Sequence, residues 1–258
     1  MRVSHNFIEV IYDDYLNDLQ DKRSKEVYVG HEDKYNASSA GQCFKKHWYK
    51  TNKYEGTPID QRTNRLFRLG TLVHEDIQLA LCKHRDELRL RKKMKMIPMM
   101  YNIEVEKEVH IPAFNVRGHI DIAIINDASK EINIYDMKTA HSFKWKMLFG
   151  HIKNRKPDSD VGYRLQIATY VLGMKEFDNG KYADYLFESY LWYYKKDTSH
   201  IKLSFVDDRW IQEAIDYWGE VNTTLDEITE PDDLPRGSYG IPSQDWECGL
   251  CPFETICK

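Results

Sequence analysis

No stretch of this chain approaches the ~20 consecutive apolar residues that a bilayer span needs, and its N-terminus lacks the basic, apolar and small-residue order of a secretory signal. A soluble, intracellular (cytoplasmic) protein without a membrane partner is the expectation. The phosphate-loop pattern G-x-x-x-x-G-K-[ST] is also missing, which argues against a nucleotide-driven motor. No internal repeat or low-complexity tract stands out either. Charge of one sign is scarce as well: the net charge is -4 over 258 residues. Any case for nucleic acid therefore rests on local patches. What is present is a composition 41% hydrophobic and 13% aromatic, enough to build the core of one large domain or two small ones.

Two basic patches stand out. The stretch "KHRDELRLRKKMK", Lys83 to Lys95, has the look of a solvated helix face. The stretch "FKWKMLFGHIKNRK", Phe143 to Lys156, has no acid and interleaves Lys144, Lys146, Lys153 and Arg155 with Phe143, Trp145 and Phe149. Cations beside aromatic rings can serve phosphates and bases together.

The segment "INIYDMKTA", Ile132 to Ala140, reads as a buried strand that nevertheless carries an acid and a base two residues apart. Period-two alternation puts Asp136 and Lys138 on one face. Upstream, "RGHIDIAIINDASKE" supplies a second apolar run and a polar turn, the pattern of a β-hairpin. If Asn126 faces Glu131 across that turn, Asp121 lies opposite Asp136, with Cβ atoms roughly 5 Å apart. Two carboxylates that close repel each other unless a cation sits between them, and oxygen ligands of this kind suit Mg2+ or Mn2+. Glu104, Glu106 and Glu108 alternate with Ile103, Val105 and Val109 and read as the solvent face of a strand, without chemistry.

Five cysteines occur. Cys248, Cys251 and Cys257 form C-x2-C-x5-C at the C-terminal end, and a fourth ligand is needed to close a site. Cys82 falls in an amphipathic helical pattern and reads as a small core residue, which leaves Cys43 as the better candidate. Disulfides are improbable in an intracellular chain. The spacing, with Pro252 directly after a ligand, leans toward an iron-sulfur cluster; zinc is the alternative.

Taken in order, these segments resemble the RecB-type branch of the P-D-(D/E)-x-K nucleases, and within it the iron-sulfur nucleases typified by the AddB nuclease domain and the CRISPR-associated RecB-like exonucleases. Cys43 comes first, and "LGTLVHEDIQ" is similar to the family's first motif with its histidine (His74). "GHIDIAI" then gives Asp121, and "YDMKT" gives Asp136 and Lys138. "YRLQIATYVLG" resembles the Q-x-x-x-Y helix with Gln166 and Tyr170, and the cysteine tail closes the series. The resemblance implies an α/β restriction-endonuclease-like core: a central mixed β-sheet flanked by helices, with N- and C-terminal segments joined by a metal cluster. It would span 1–258 as a single nuclease domain, with an N-terminal helical region over 1–60, the core over 61–206, and the C-terminal helix and tail over 207–258.

The implied activity is metal-dependent hydrolysis of DNA, exonucleolytic with single-stranded or free ends favoured, leaving 5'-phosphates. It would serve recombination, repair, phage DNA metabolism or CRISPR adaptation. His74, Asp121, Asp136 and the Met137 carbonyl would hold Mg2+ or Mn2+, Lys138 would serve the attacking water, and Gln166 and Tyr170 would position the strand. Cys43, Cys248, Cys251 and Cys257 would hold a 4Fe-4S cluster, and Lys144, Lys146, Lys153 and Arg155 would contact DNA. A non-catalytic DNA-binding module with a relic fold and a zinc-stapled duplex endonuclease are the rival readings. Without the resemblance, His74 would read as a satisfied core histidine on the stripe of Leu66, Leu69, Val73, Ile77 and Ala80 or Leu81.

Overall fold

The computed structural model describes residues 7–28, 34–94, 101–150, 160–237 and 248–257. Helix α1 (Phe7–Tyr28), strand β1 (Tyr35–Asn36), helix α2 (Phe44–Thr51) and the long helix α3 (Gln61–Lys93) form the N-terminal part. Strands β2 (Asn102–Ile111), β3 (Val116–Asn126) and β4 (Glu131–Ala140), then helices α4 (Ser142–Phe149) and α5 (Val161–Gly180), follow. Strands β5 (Leu186–Lys195) and β6 (Ile201–Val206) lead into α6 (Arg209–Glu227). None of the described helices is long and apolar enough to cross a membrane.

The six strands make one mixed sheet in the order β1-β3-β4-β5-β6, with β2 pairing β3 on its remaining edge. The polar turn after β3 sets the hairpin register, pairing Asn126 with Glu131 and ending at Ile122 with Tyr135. Beyond that pair β4 leaves β3. It continues beside β5 in parallel from Glu131 to Ala140, while the start of β3 pairs β1 instead. A fork opens between the two central strands at Asp121 and Asp136.

Helix α5 covers one face of the sheet because Leu165, Ile167, Ala168, Val171 and Met174 are all buried there with Ile132 and Ile134 of β4. Close approach depends on Gly118, where an added Cβ would stand 2.8 Å from the Tyr170 ring and 2.8 Å from the Ala37 Cβ. Helix α6 packs on α5 through Ala214, Tyr217, Trp218 and Val221, and the Trp218 indole donates to Thr169 Oγ1 at 2.8 Å.

Helix α3 lies against β2, β3 and β4. Asp60 caps it by accepting from the Thr63 amide at 3.0 Å, and Arg91, Lys92 and Lys93 stand in its last turn, where the helix dipole favours cations. Its apolar stripe differs from the sequence expectation: no residue of α3 is fully buried, and Leu66 and Leu69 are about half exposed. The face turned to the sheet runs through Gly70, His74, Ile77 and Leu81, one step round the helix from Leu66 and Leu69.

Between α2 and α6 lies His47, 2% exposed, with its Nε2 2.8 Å from the Tyr217 hydroxyl. Burial, aided by Lys50 and Lys46, pushes its pKa down to about 3. The folded state therefore holds His47 neutral, whereas the unfolded chain takes up its proton near pH 6.5. The stability this contributes is fully present above about pH 6.5 and is lost as pH falls toward 3, at ~1.4 kcal/mol per unit. Between pH 6.5 and 4.5 the wild-type melting temperature should fall more steeply than that of His47→Gln; parallel curves would show that His47 does not carry the acid sensitivity.

Candidate active site

The fork is closed by a side chain. Asp121 Oδ2 accepts from the Met137 backbone amide at 2.6 Å, taking the place of a strand carbonyl where the β3–β4 ladder stops. His74 reaches over from α3 and sets Nδ1 3.7 Å from Asp121 Oδ2. Asp136, 1% exposed, sits on the opposite prong.

Lys138 follows on the same face of β4. Its Nζ lies 2.6 Å from Asp136 Oδ2 and donates to Gln166 Oε1 at 2.8 Å. Gln166 Nε2 is shared between Asp136 Oδ1 at 3.1 Å and the Tyr170 hydroxyl at 2.8 Å. Gln166 and Tyr170 are four residues apart and so share one face of α5. Both are buried, Gln166 included, although a lone glutamine at that spacing reads from sequence as a surface residue. The fold thus brings His74, Asp121, Asp136, Met137, Lys138, Gln166 and Tyr170 to one place.

Electrostatically the site is short of positive charge. Burial first, then the neighbouring Asp136, pushes the Asp121 carboxyl well above the usual carboxylate range. Asp136 is raised by burial too, against the pull of Lys138. Burial works against the charge on Lys138, but Asp136 and Asp121 outweigh it and its pKa rises. His74 is pushed down, chiefly by burial, which keeps the imidazole neutral and able to donate a lone pair. Among the described residues no three His, Cys, Asp or Glu side chains are grouped closely enough to hold a metal ion as they stand.

Sequence reasoning missed Glu106. Its backbone is left-handed, with φ at 48°, at the one point where β2 and β3 fail to pair between Val105↔Ile122 and Lys107↔Ile120. That position faces Asp121. Gln78, one helical turn past His74, donates to the Glu106 carboxylate, whose charge raises the pKa of both Asp121 and His74. The face that β3 gives to the main core changes phase near the same point: Val116 and Ile120 belong to that core before it, Ala123 and Ile125 after it, while Ile122 is buried outside that cluster. Alternating glutamates cannot announce such an inversion, because period-two reading assumes an unbroken strand.

The remaining expectations fall elsewhere. Cys43, at the N-cap of α2, lines one cavity of about 430 Å3 together with Cys248, Cys251 and Cys257. Lys45, Lys46, Tyr49 and Arg236 share its wall. None of the four is disulfide-bonded, and Cys82, on α3, is not part of this cavity. The tail is seated by Tyr49, whose ring stacks on Phe253 at 5.2 Å and whose hydroxyl donates to the Ile256 carbonyl at 3.1 Å. Of the basic stretch, Lys144 and Lys146 lie on α4, which His141 caps by accepting from the Phe143 and Lys144 amides. Lys153 and Arg155 lie outside the described residues.

Residues 76–258 match the family described as the PD-(D/E)XK nuclease superfamily. Among solved structures the chain is similar to one described as SSO0001, at 12% identity and a TM-score of 0.47 over 95% of each chain. It is also similar to a candidate exonuclease from Eubacterium rectale, at 15% identity and a TM-score of 0.41, covering 73% of this chain and 76% of that one. No curated protein matches.

The left-handed backbone at Glu106 costs a non-glycine residue ~1 kcal/mol or more, and strain of this kind collects at functional sites. Glu106→Gly should therefore raise stability by about 1 kcal/mol in urea unfolding while nuclease activity falls. A stability unchanged or lowered would show that the inversion is not strained.

Proposed function

Since the chain belongs to the PD-(D/E)XK nuclease superfamily, whose members generally use divalent metals, we propose that it is a Mg2+- or Mn2+-dependent deoxyribonuclease acting at the fork between β3 and β4. The observation that carries this reading is the Lys138 ammonium, held between Asp136 and Gln166 at the mouth of a buried carboxylate pair. A relic fold freed from catalysis would have no need to keep two carboxylates buried at such cost.

The donors fit a hard divalent cation. Two carboxylates are pushed toward protonation, chiefly by burial, and Asp136 Oδ2 meets Lys138 Nζ without a well-directed hydrogen bond. An imidazole kept neutral and the Met137 carbonyl complete a set that suits Mn2+ as well as Mg2+. His74, Asp121, Asp136 and Met137 would be the holders. When bound, the cation would lower the pKa of an attacking water and polarise the scissile phosphate. Lys138 orients that water and offsets the charge that develops on the phosphate oxygens. Gln166 keeps Lys138 aimed, and Tyr170 fixes Gln166 in turn. Lys144 and Lys146 on α4, with Lys153 and Arg155, supply phosphate contacts along the entering strand. The preferred substrate is DNA with single-stranded or free ends, and the whole of 1–258 acts as one nuclease domain.

The four-cysteine cavity is read as a 4Fe-4S site that staples the tail to α2, in the manner of the AddB-like and CRISPR-associated iron-sulfur nucleases; zinc is the alternative occupant. Support comes from four thiols on one cavity wall and from the adjoining Lys45, Lys46 and Arg236, whose charge would offset bound thiolates.

Product mapping on end-labelled single-stranded and duplex DNA tests the activity. Asp136→Ala removes a ligand, so Mn2+ affinity in calorimetry and cleavage should fall together. Lys138→Ala leaves the ligands in place, so Mn2+ and DNA should still bind while turnover falls by about 10² or more. Cleavage by Lys138→Ala at the wild-type rate would reduce the pair to a salt bridge, and an inert wild type would favour the binding-module reading.

A separate measurement bears on the staple. Iron and acid-labile sulfide should disappear in Cys43→Ala as fully as in Cys251→Ala and persist in Cys82→Ala. Zinc in place of iron in protein purified without oxygen would establish the alternative, and iron retained in Cys43→Ala would remove Cys43 from the site.

A further inference from the structure

One turn before Gln166 on α5 stands Tyr163, a residue that no motif singles out. The Lys138 ammonium lies 4.6 Å from the centre of its ring, and the Lys144 ammonium lies 5.6 Å from the same centre. The two lysines come from different elements, β4 and α4, and both lie against this ring. Lys138 has two polar neighbours, the Asp136 carboxylate of β4 and the Gln166 amide oxygen of α5. The Tyr163 ring is its third neighbour, and Lys144 shares that ring.

We propose that Tyr163 is a positioning residue: its ring face holds the Lys138 ammonium in its working direction and seats Lys144 beside it, so that the scissile phosphate and the adjacent phosphate of one DNA strand meet cations at a fixed spacing. The inference rests on the reading of Lys138 given above. Three features support it. Two like charges that share one ring repel each other, and the ring quadrupole is a neutral group that attracts both. Lysine needs such a guide because its four-carbon stem is flexible and its ammonium is a point charge without directional preference. Finally, the ring rather than the phenol makes the contact, since none of the hydrogen bonds that join Lys138, Gln166, Asp136 and Tyr170 uses the Tyr163 hydroxyl. Tyr163 therefore acts through the two lysines and does not itself touch the reacting atoms.

Steady-state cleavage of a short single-stranded oligonucleotide with Mn2+, in a four-variant cycle, tests this. Tyr163→Leu should lower kcat about 10-fold, the scale of a partly desolvated cation–π contact, and raise KM as Lys144 loses its seat. Tyr163→Phe, which keeps the ring face, should recover most of both. In a Lys138→Ala background, Tyr163→Leu should cost no further kcat, because positioning has nothing left to position, while the KM effect persists. Wild-type kcat in Tyr163→Leu, equal losses with Phe and Leu, or the same kcat loss with and without Lys138 would each overturn the inference. A Lys138→Ala variant that cleaves at the wild-type rate overturns the parent reading as well. An inactive Lys138→Ala beside a fully active Tyr163→Leu overturns the positioning role alone.

Discussion

The bond from the Met137 amide to Asp121 Oδ2 is the contact on which the site depends. A strand that leaves its neighbour exposes backbone donors that must be satisfied inside the protein. Asp121 satisfies one of them with a carboxylate instead of a carbonyl, so the place where the sheet divides becomes the place where negative charge is buried. Everything else at the fork follows from that choice. Asp136 on the other prong adds a second carboxylate, both are pushed toward protonation by burial, and Lys138 brings an ammonium to within 2.6 Å of Asp136 Oδ2. Helix α5 then closes the fork with Gln166 and Tyr170, which are held there because Gly118 admits the Tyr170 ring against β3.

Much of this geometry is legible in the sequence because it is local. The "NDASKE" turn sets the hairpin register, and period-two alternation on either side of it is enough to bring Asp121 opposite Asp136 and to put Lys138 on the same face. Gln166 and Tyr170 share a face by helical spacing. His74 is harder: its neighbourhood reads as an apolar stripe, and only its order ahead of the hairpin motifs sets it apart. What stays hidden is non-local or depends on backbone handedness. Glu106 follows the pattern of a solvent face, and nothing in alternation signals that φ turns positive there. Tyr163 looks like any aromatic residue on a buried helix until Lys144 arrives from α4. The exposed Leu66 and Leu69 show the opposite failure, since periodicity gives a stripe but not the angle at which a helix lies on the sheet.

The chain separates two tasks. Around α2 the structure is aromatic and tightly packed: Tyr49 stacks on Phe253, His47 bonds Tyr217, and the Thr57 amide donates to the Pro252 carbonyl at 2.6 Å. This joins the C-terminal tail to the N-terminal segment through side-chain packing that is present whatever fills the cysteine cavity. The fork is built differently, with partly buried His74 and Lys138 and with like charges held close. Stabilising contacts sit in one region and unfavourable electrostatics in the other, the distribution expected when a rigid frame holds a strained site.

That distribution also explains why the lysine is flanked as it is. A lysine near a lone carboxylate would settle into an ion pair and have little tendency to turn outward, since the buried acceptor outcompetes water and any incoming phosphate. At the fork, Asp136 Oδ1 is already engaged by Gln166 Nε2, and the same amide presents its oxygen to Lys138, so one side chain weakens the acceptor and offers the ammonium an alternative. The Tyr163 ring adds attraction without supplying a hydrogen-bond acceptor. Lys138 is thus held by three partners of different kinds, none of which neutralises it outright. An ammonium bound in this way keeps its charge while remaining able to exchange one contact for a phosphate oxygen, which is the combination that charge stabilisation in a transition state requires.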